Sequence, residues 1–183
     1  MAKGRCVPLL ALAAALVAPP APAAAQQDPS CLLGPRVAQE IGQAATRGAV
    51  LCLVNAERAR RGLRPVASSW RLRRAAQAHS DDMVARDYFD HVTPGGSGLG
   101  DRVAATGYMR RHPDWGLGEA IGWAQGALAT PSVLMRAWMA SPPHRAVILG
   151  RSYRDLGVGV ALAGPEPGAG PAVTITLDFG FAR

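Results

Sequence analysis

The spacing of apolar and polar positions divides the chain into a leader, a helical middle and a strand-rich end. Val7 to Ala18 is an unbroken apolar run with no polar face, preceded by Lys3 and Arg5 and followed by Pro19, Pro20 and Pro22. The first amphipathic repeat begins near Thr46. Val50, Leu51, Val54 and Leu53 fall on one side of a helix, with Glu57, Arg58 and Arg61 outward and Gly62 as its stop. A second helix is predicted from Ser69 to Asp87, capped by Ser68 or Ser69, with Leu72, Ala75, Ala76, His79, Met83 and Val84 at helical spacing. Arg71, Arg73 and Arg74 crowd its first turn, where positive charge opposes the helix dipole, so packing must hold that end. Residues 92–118 read as a long glycine-rich loop, interrupted by a short helical pattern from Leu99 to Ala105. A third helix is expected from Ser132 to about Ala140, with Thr130 or Ser132 as cap and Pro131 near its start. Trp70, Trp123 and Trp138 read as core rings.

Two strand-like runs, Leu156 to Ala163 and Ala172 to Phe181, close the chain around the turn-rich segment Gly164 to Pro171, the pattern of an antiparallel hairpin. Helices first and strands last predict an α+β layered domain rather than a parallel βαβ sheet.

At 183 residues the chain has the length of one domain, and 49% apolar content excludes a disordered polymer. Glycine and proline, 21 and 15 residues, show no G-X-Y period, so collagen is excluded. The apolar run is too short for a ~30 Å hydrocarbon core. With its basic flank and Ala23-Ala24-Ala25 it reads as a signal peptide cut after Ala25, the other reading being a retained anchor. The expected organisation is a leader over 1–25, an N-terminal arm over 26–45 and a folded domain over 46–183. The expected location is secreted or periplasmic, with no transmembrane anchor after processing. Cys6 precedes the apolar run, so lipid anchoring at the cut is not indicated. The formal charge of +7 becomes +5 once Lys3 and Arg5 are removed.

An oxidising compartment permits Cys31 and Cys52 to pair, which would contribute about 3 kcal/mol by loop entropy. The competing reading is a buried free thiol at Cys52. Of four histidines, at 79, 91, 112 and 144, His91 and His144 follow predicted helices, and Glu119 lies at the far end of the long loop. Two imidazoles and a carboxylate suit Zn²⁺ or another divalent cation, although no short chelating interval and no HExxH supports it. The plain alternative is loop-tying hydrogen bonds. Gly95-Gly96-Ser97-Gly98 is followed by Leu99 where a nucleophile elbow needs glycine, and the loop lacks a phosphate-binding lysine. Arg58, Arg60, Arg61 and Arg64 form a basic cluster, read either as a solvated helix face or as a surface for an anionic envelope polymer or lipid headgroup before nucleic acid.

The ordered set of motifs resembles the CAP superfamily (cysteine-rich secretory proteins, antigen 5 and pathogenesis-related 1; the SCP domain) in its compact bacterial branch. The motifs are Val54-Asn55-Ala56-Glu57-Arg58, Gly62-Leu63-Arg64-Pro65, Ala78-His79-Ser80-Asp81-Asp82-Met83, Tyr88-Phe89-Asp90-His91, Gly107-Tyr108, Gly118-Glu119-Ala120-Ile121, Trp138 to Arg145 and Leu156-Gly157-Val158-Gly159-Val160. The resemblance covers about residues 49 to 182. It implies a three-layer α-β-α sandwich with an antiparallel sheet and an open cleft holding two histidines and two acids, able to bind a divalent cation. His91, Glu119 and His144 match three of those four positions; Ser141 stands at the fourth, and Ala120 replaces the usual Asn. His79 matches a bacterial-branch position and is assigned a structural, hydrogen-bonding role. The implied function is a secreted module, non-enzymatic or weakly active, binding an envelope-associated, lipid-like or polymer ligand. The alternative is a metal-assisted hydrolase with Glu119 as metal ligand or general base.

Overall fold

A computed structural model describes residues 28–110, 112–166, 168 and 170–183; the expected leader and its cut after Ala25 lie outside the described residues. A 3-10 turn over Pro29–Leu33 leads into α1 (Ala38–Ala59). There follow β1 (Ala67–Ser68), α2 (Trp70–Ala85), α3 (Leu99–Ala105) and β2 (Trp115–Gln125). The chain continues through α4 (Pro131–Ala140), α5 (Pro142–Ile148), β3 (Asp155–Ala161) and β4 (Ala172–Ala182). The sheet order is β1-β3-β4-β2, antiparallel except for the short parallel β1–β3 pairing. The fold is α+β, and β2 is an edge strand.

Side chains alternate across the sheet with period two, and the two faces differ in chemistry. On one face Leu156, Val158, Val160, Val173, Ile175, Leu177 and Phe179 pack with Val50 and Val54 of α1, Leu134 and Trp138 of α4, and Ile148 of α5. The other face carries Thr174, Thr176, Asp178 and Glu119, all buried, together with Gly157 and Gly159. A Cβ on Gly157 would stand 2.1 Å from the Leu72 carbonyl carbon, and one on Gly159 2.2 Å from the Ala76 carbonyl oxygen. The backbone of α2 therefore lies directly on β3, and only glycine admits that approach.

Several expectations need correction. The first helix starts at Ala38 rather than near Thr46, and is broken at Gly42 with φ +79°, which disrupts the 3.6-residue repeat upstream of Gln43. Residues 115–118, read as loop, belong to β2. Its alternation is concealed because Gly116, Gly118 and Gly122 occupy one face, leaving room for Phe181, Tyr153 and Trp138 respectively. A short fifth helix follows Ser141, with proline at its start. Arg58, placed outward by its spacing, is fully buried: it donates to the carbonyls of Arg64 (2.9 Å), Ile148 (2.8 Å) and Gly150 (3.0 Å), joining α1 to the turn after α5. Arg60 and Arg61 both pair with Glu57, so the basic cluster is largely satisfied within the chain. Trp70 is 54% exposed and not a core ring, whereas Trp138 is buried and donates to the Ile121 carbonyl at 2.8 Å. Cys31 and Cys52 form a disulfide, which decides between the two readings of those residues. Among the described residues no helix is long and apolar enough to cross a membrane.

Candidate functional site

Glu119 sits in mid-strand on β2, on the polar face, with its side chain only 4% exposed. Its Oε1 receives a hydrogen bond from His91 Nδ1 at 2.7 Å, and its Oε2 is bound by the Arg102 guanidinium from α3. Arg102 Nη1 also donates to the carbonyls of His91 (2.9 Å) and Ser97 (3.2 Å), so one side chain closes the loop over the strand. Burial pushes the Glu119 carboxyl up, but the His91 hydrogen bond and the Arg102 charge outweigh it and hold the group below its ordinary value. The hydrogen bond to Glu119 raises the His91 pKa against its partial burial. Because the carboxylate accepts at Nδ1, that atom carries a ring proton; the side chain is 51% exposed.

His144 stands in α5, and its ring is near enough to His91 to feel that group's charge. Its Nδ1 lies 2.9 Å from Ser141 Oγ. Burial, then the charge of nearby His91, lowers its pKa, so it is a neutral imidazole. His79, on α2, is fully buried and lowered by burial and by Arg102. Its Nε2 donates to the Asp90 carbonyl at 3.0 Å, which fastens the residue preceding His91. His112 is exposed and stands outside this arrangement.

Two participants carried no motif. Arg102 follows no recognisable signature, and its role depends on α3 lying beside β2. Asp178 had a legible signal, since it is the lone charge in the apolar and threonine-rich run of β4. It is fully buried, directly across from Glu119 in register, and neither carboxyl oxygen finds a hydrogen-bond partner among the described residues. Burial, and next the negative charge of Glu119, raise it well above the ordinary carboxyl range, so it is held as the neutral acid. Glu119 and Asp178 thus have opposite protonation preferences: at Glu119 the His91 hydrogen bond and the Arg102 charge outweigh burial, and at Asp178 burial prevails.

Among the described residues, no three His, Cys, Asp or Glu side chains form a group that could hold a metal ion. Each Glu119 oxygen accepts one hydrogen bond, one from His91 and one from Arg102.

Helices on both faces of a mostly antiparallel sheet make this the α+β fold of SCP-domain proteins. Residues 51–178 match the model of the cysteine-rich secretory protein family (CAP), and the chain belongs to that family. It is similar to the uncharacterized protein YkwD of Bacillus subtilis, 35% identical over 115 residues, covering 63% of this chain and 42% of that protein. It is also similar to the uncharacterized membrane protein YlbC of the same organism, 31% identical over 114 residues, covering 61% of this chain and 30% of that one. The chain thus matches less than half the length of either relative. Among solved structures, an extracellular SCP-domain protein from Bacillus anthracis shares the fold with TM-score 0.56 at 23% identity, over 75% of this chain and 43% of that one. An outer surface protein from Borrelia burgdorferi does so with TM-score 0.59 at 13% identity, over 73% and 90%.

Proposed function

We propose that this CAP domain is an exported binding module whose cleft, at His91, Glu119 and His144, takes an envelope-associated, lipid-like ligand without turning it over. The observation that carries this reading is the state of Glu119. A general base is the more effective the more basic its carboxylate is near the working pH. Here one oxygen accepts from His91 and the other from Arg102, which fixes the carboxylate as the orienting partner of His91 and, by lowering its pKa, makes it a weaker base. Phe89 and Val92, close to His91 in the chain, are 41% and 47% exposed and would offer a lipid-like ligand an apolar wall beside the imidazole.

A catalytic zinc takes three protein donors and an open position. The donor set does not fit that requirement, because among the described residues no three His, Cys, Asp or Glu side chains converge as metal ligands. It supports instead a weakly held divalent cation between His91 and His144, with Glu119 behind the first ring as its orienting carboxylate. Export is supported by the basic and apolar N-terminus and by the disulfide, which persists in oxidising compartments.

The test is a pair of titrations on the wild type and the Phe89→Ser/Val92→Ser, His144→Ala and Glu119→Ala variants. A fluorescent fatty-acid probe is expected to bind the wild type and to be lost with the apolar wall. Zn²⁺ is expected to bind in the micromolar range or weaker and to need His144. Turnover of ester, peptide or glycan substrates that is abolished by chelator and by Glu119→Ala would overturn the reading in favour of a metal-assisted hydrolase.

A further inference from the structure

Away from the His91 cleft lies a groove of about 680 Å³ between α1 and α2, lined by Gln43, Arg47, Trp70, Arg73, Arg74 and Gln77, with Asp81 at one end. A smaller hollow of about 150 Å³ also borders Trp70, walled by Arg71, Thr106 and Arg110. The Trp70 ring is therefore a ridge between two basic depressions. It is 54% exposed, and the Arg71 guanidinium lies over it at 4.5 Å from the ring centroid.

None of Arg47, Arg71, Arg73, Arg74 and Arg110 forms an ion pair among the described residues. The one acid in the groove, Asp81, accepts from the Gln77 amide at 2.9 Å. Three of the arginines sit in the first turn of α2, where they repel both one another and the positive helix terminus. Beyond the Arg71 contact with Trp70 and the Arg47–Gln77 hydrogen bond, folding gains no charge pairing from this arrangement. The same chain pairs Arg60 and Arg61 with Glu57, so unpaired arginines are not a general property of its surface.

We infer that the Trp70 ridge and its flanking arginines form a binding site for an acidic polysaccharide. The groups match that chemistry one by one. Guanidinium forks pair with carboxylate, sulfate or phosphate substituents, often through two hydrogen bonds. The indole face packs on the C–H face of a sugar ring. The Gln43 amide can both donate and accept, as sugar hydroxyls require, whereas Gln77 is committed within the protein to Asp81, Arg47 and the Val160 backbone. A single-stranded nucleic acid would satisfy the arginines but normally uses several successive stacking rings, whereas this surface offers one. The site shares no residue with the His91 cleft, and it stands whether or not that cleft binds a lipid-like ligand.

The experiment is calorimetric and tryptophan-fluorescence titration of the full chain with alginate oligosaccharides, heparin oligosaccharides, neutral dextran and single-stranded DNA of matched charge. Alginate or heparin binding that weakens with salt, with no dextran binding, is the expected result. Arg73→Gln/Arg74→Gln is expected to weaken it by about tenfold or more, and Trp70→Ala by about tenfold with an unchanged salt slope. Arg60→Gln/Arg61→Gln, which removes the same charge elsewhere, should leave binding unchanged. All are exposed positions, and the melting temperature of Arg73→Gln/Arg74→Gln should equal or exceed that of the wild type, because the dipole conflict is relieved. The proposal is overturned by no binding at low salt or by equal loss in both double variants. It also fails when Trp70→Ala has no effect, or when DNA binds more tightly than either glycan.

Discussion

Arg102→Met tests the electrostatic logic of the site most directly. The Arg102 side chain is 8% exposed and that of Glu119 4%, so the substitution leaves a carboxylate in a dry setting beside Asp178, with its guanidinium gone and the His91 Nδ1–H remaining. Breaking a buried ion pair by removing one partner costs about 3–5 kcal/mol. Protonation sets a ceiling on the charge part of that cost. Holding as neutral acid at about pH 7 a group whose ordinary pKa is about 4.3 takes roughly 3.7 kcal/mol. To this are added the hydrogen bonds that Arg102 makes to the His91 and Ser97 carbonyls, about 1 kcal/mol each. The expected loss is therefore up to about 6 kcal/mol near pH 7. In the variant the Glu119 pKa rises above its unfolded value, so the penalty grows with pH above that value and fades below it. By about pH 4.5 most of it should be gone, leaving roughly the hydrogen-bond part. Urea unfolding of the wild type, Arg102→Met and Arg102→Met/Glu119→Gln at both pH values measures this, the double variant recovering most of the loss at neutral pH. A single-variant loss below about 1 kcal/mol, or one equal at both pH values, would refute the reasoning.

Other consequences are equally measurable. Asp178 has a folded-state pKa raised by burial and by Glu119, so the stability tied to its neutral form is complete below the unfolded carboxyl pKa and is lost as pH rises towards the folded value. Asp178→Asn keeps the neutral shape, so the stability difference between variant and wild type should move in favour of Asn from about pH 4 to pH 7; a flat difference in denaturant melts would exclude a buried neutral acid. Gly159→Ala places a methyl 2.2 Å from the Ala76 carbonyl oxygen, and should cost about 1–3 kcal/mol or more in thermal unfolding while loosening the His79–Asp90 contact, seen as faster amide exchange around His91. Cys52→Ser opens the bridge to Cys31 and should lower stability by about 3 kcal/mol; reducing agent should lower the wild type to the same level and leave the variant unmoved.

Much of the framework was legible locally. The cores of α1, α2 and α4 and the β3–β4 hairpin follow from 3.6- and 2-residue spacing of apolar side chains, because burying one face of a helix or strand imposes that period wherever the partner comes from. His91, Glu119 and His144 were singled out as chemistry-bearing residues, two placed at helix ends and the third at the end of a loop that the structure replaces with mid-strand β2. Long-range contact decided the rest. β2 was hidden because its glycines make sense only against Phe181, Tyr153 and Trp138, rings supplied by other segments. Arg58 and Trp70 exchanged their expected places, since a guanidinium can be buried when three carbonyls from distant turns surround it, and an indole can stay in water when arginines flank it. Arg102 and Asp178 acquired their roles only when α3, β2 and β4 came together. An isolated carboxyl titrates alike at any position in an unfolded chain, and only the packed state, by removing water from one and giving a cation to the other, makes Asp178 an acid and Glu119 an anion.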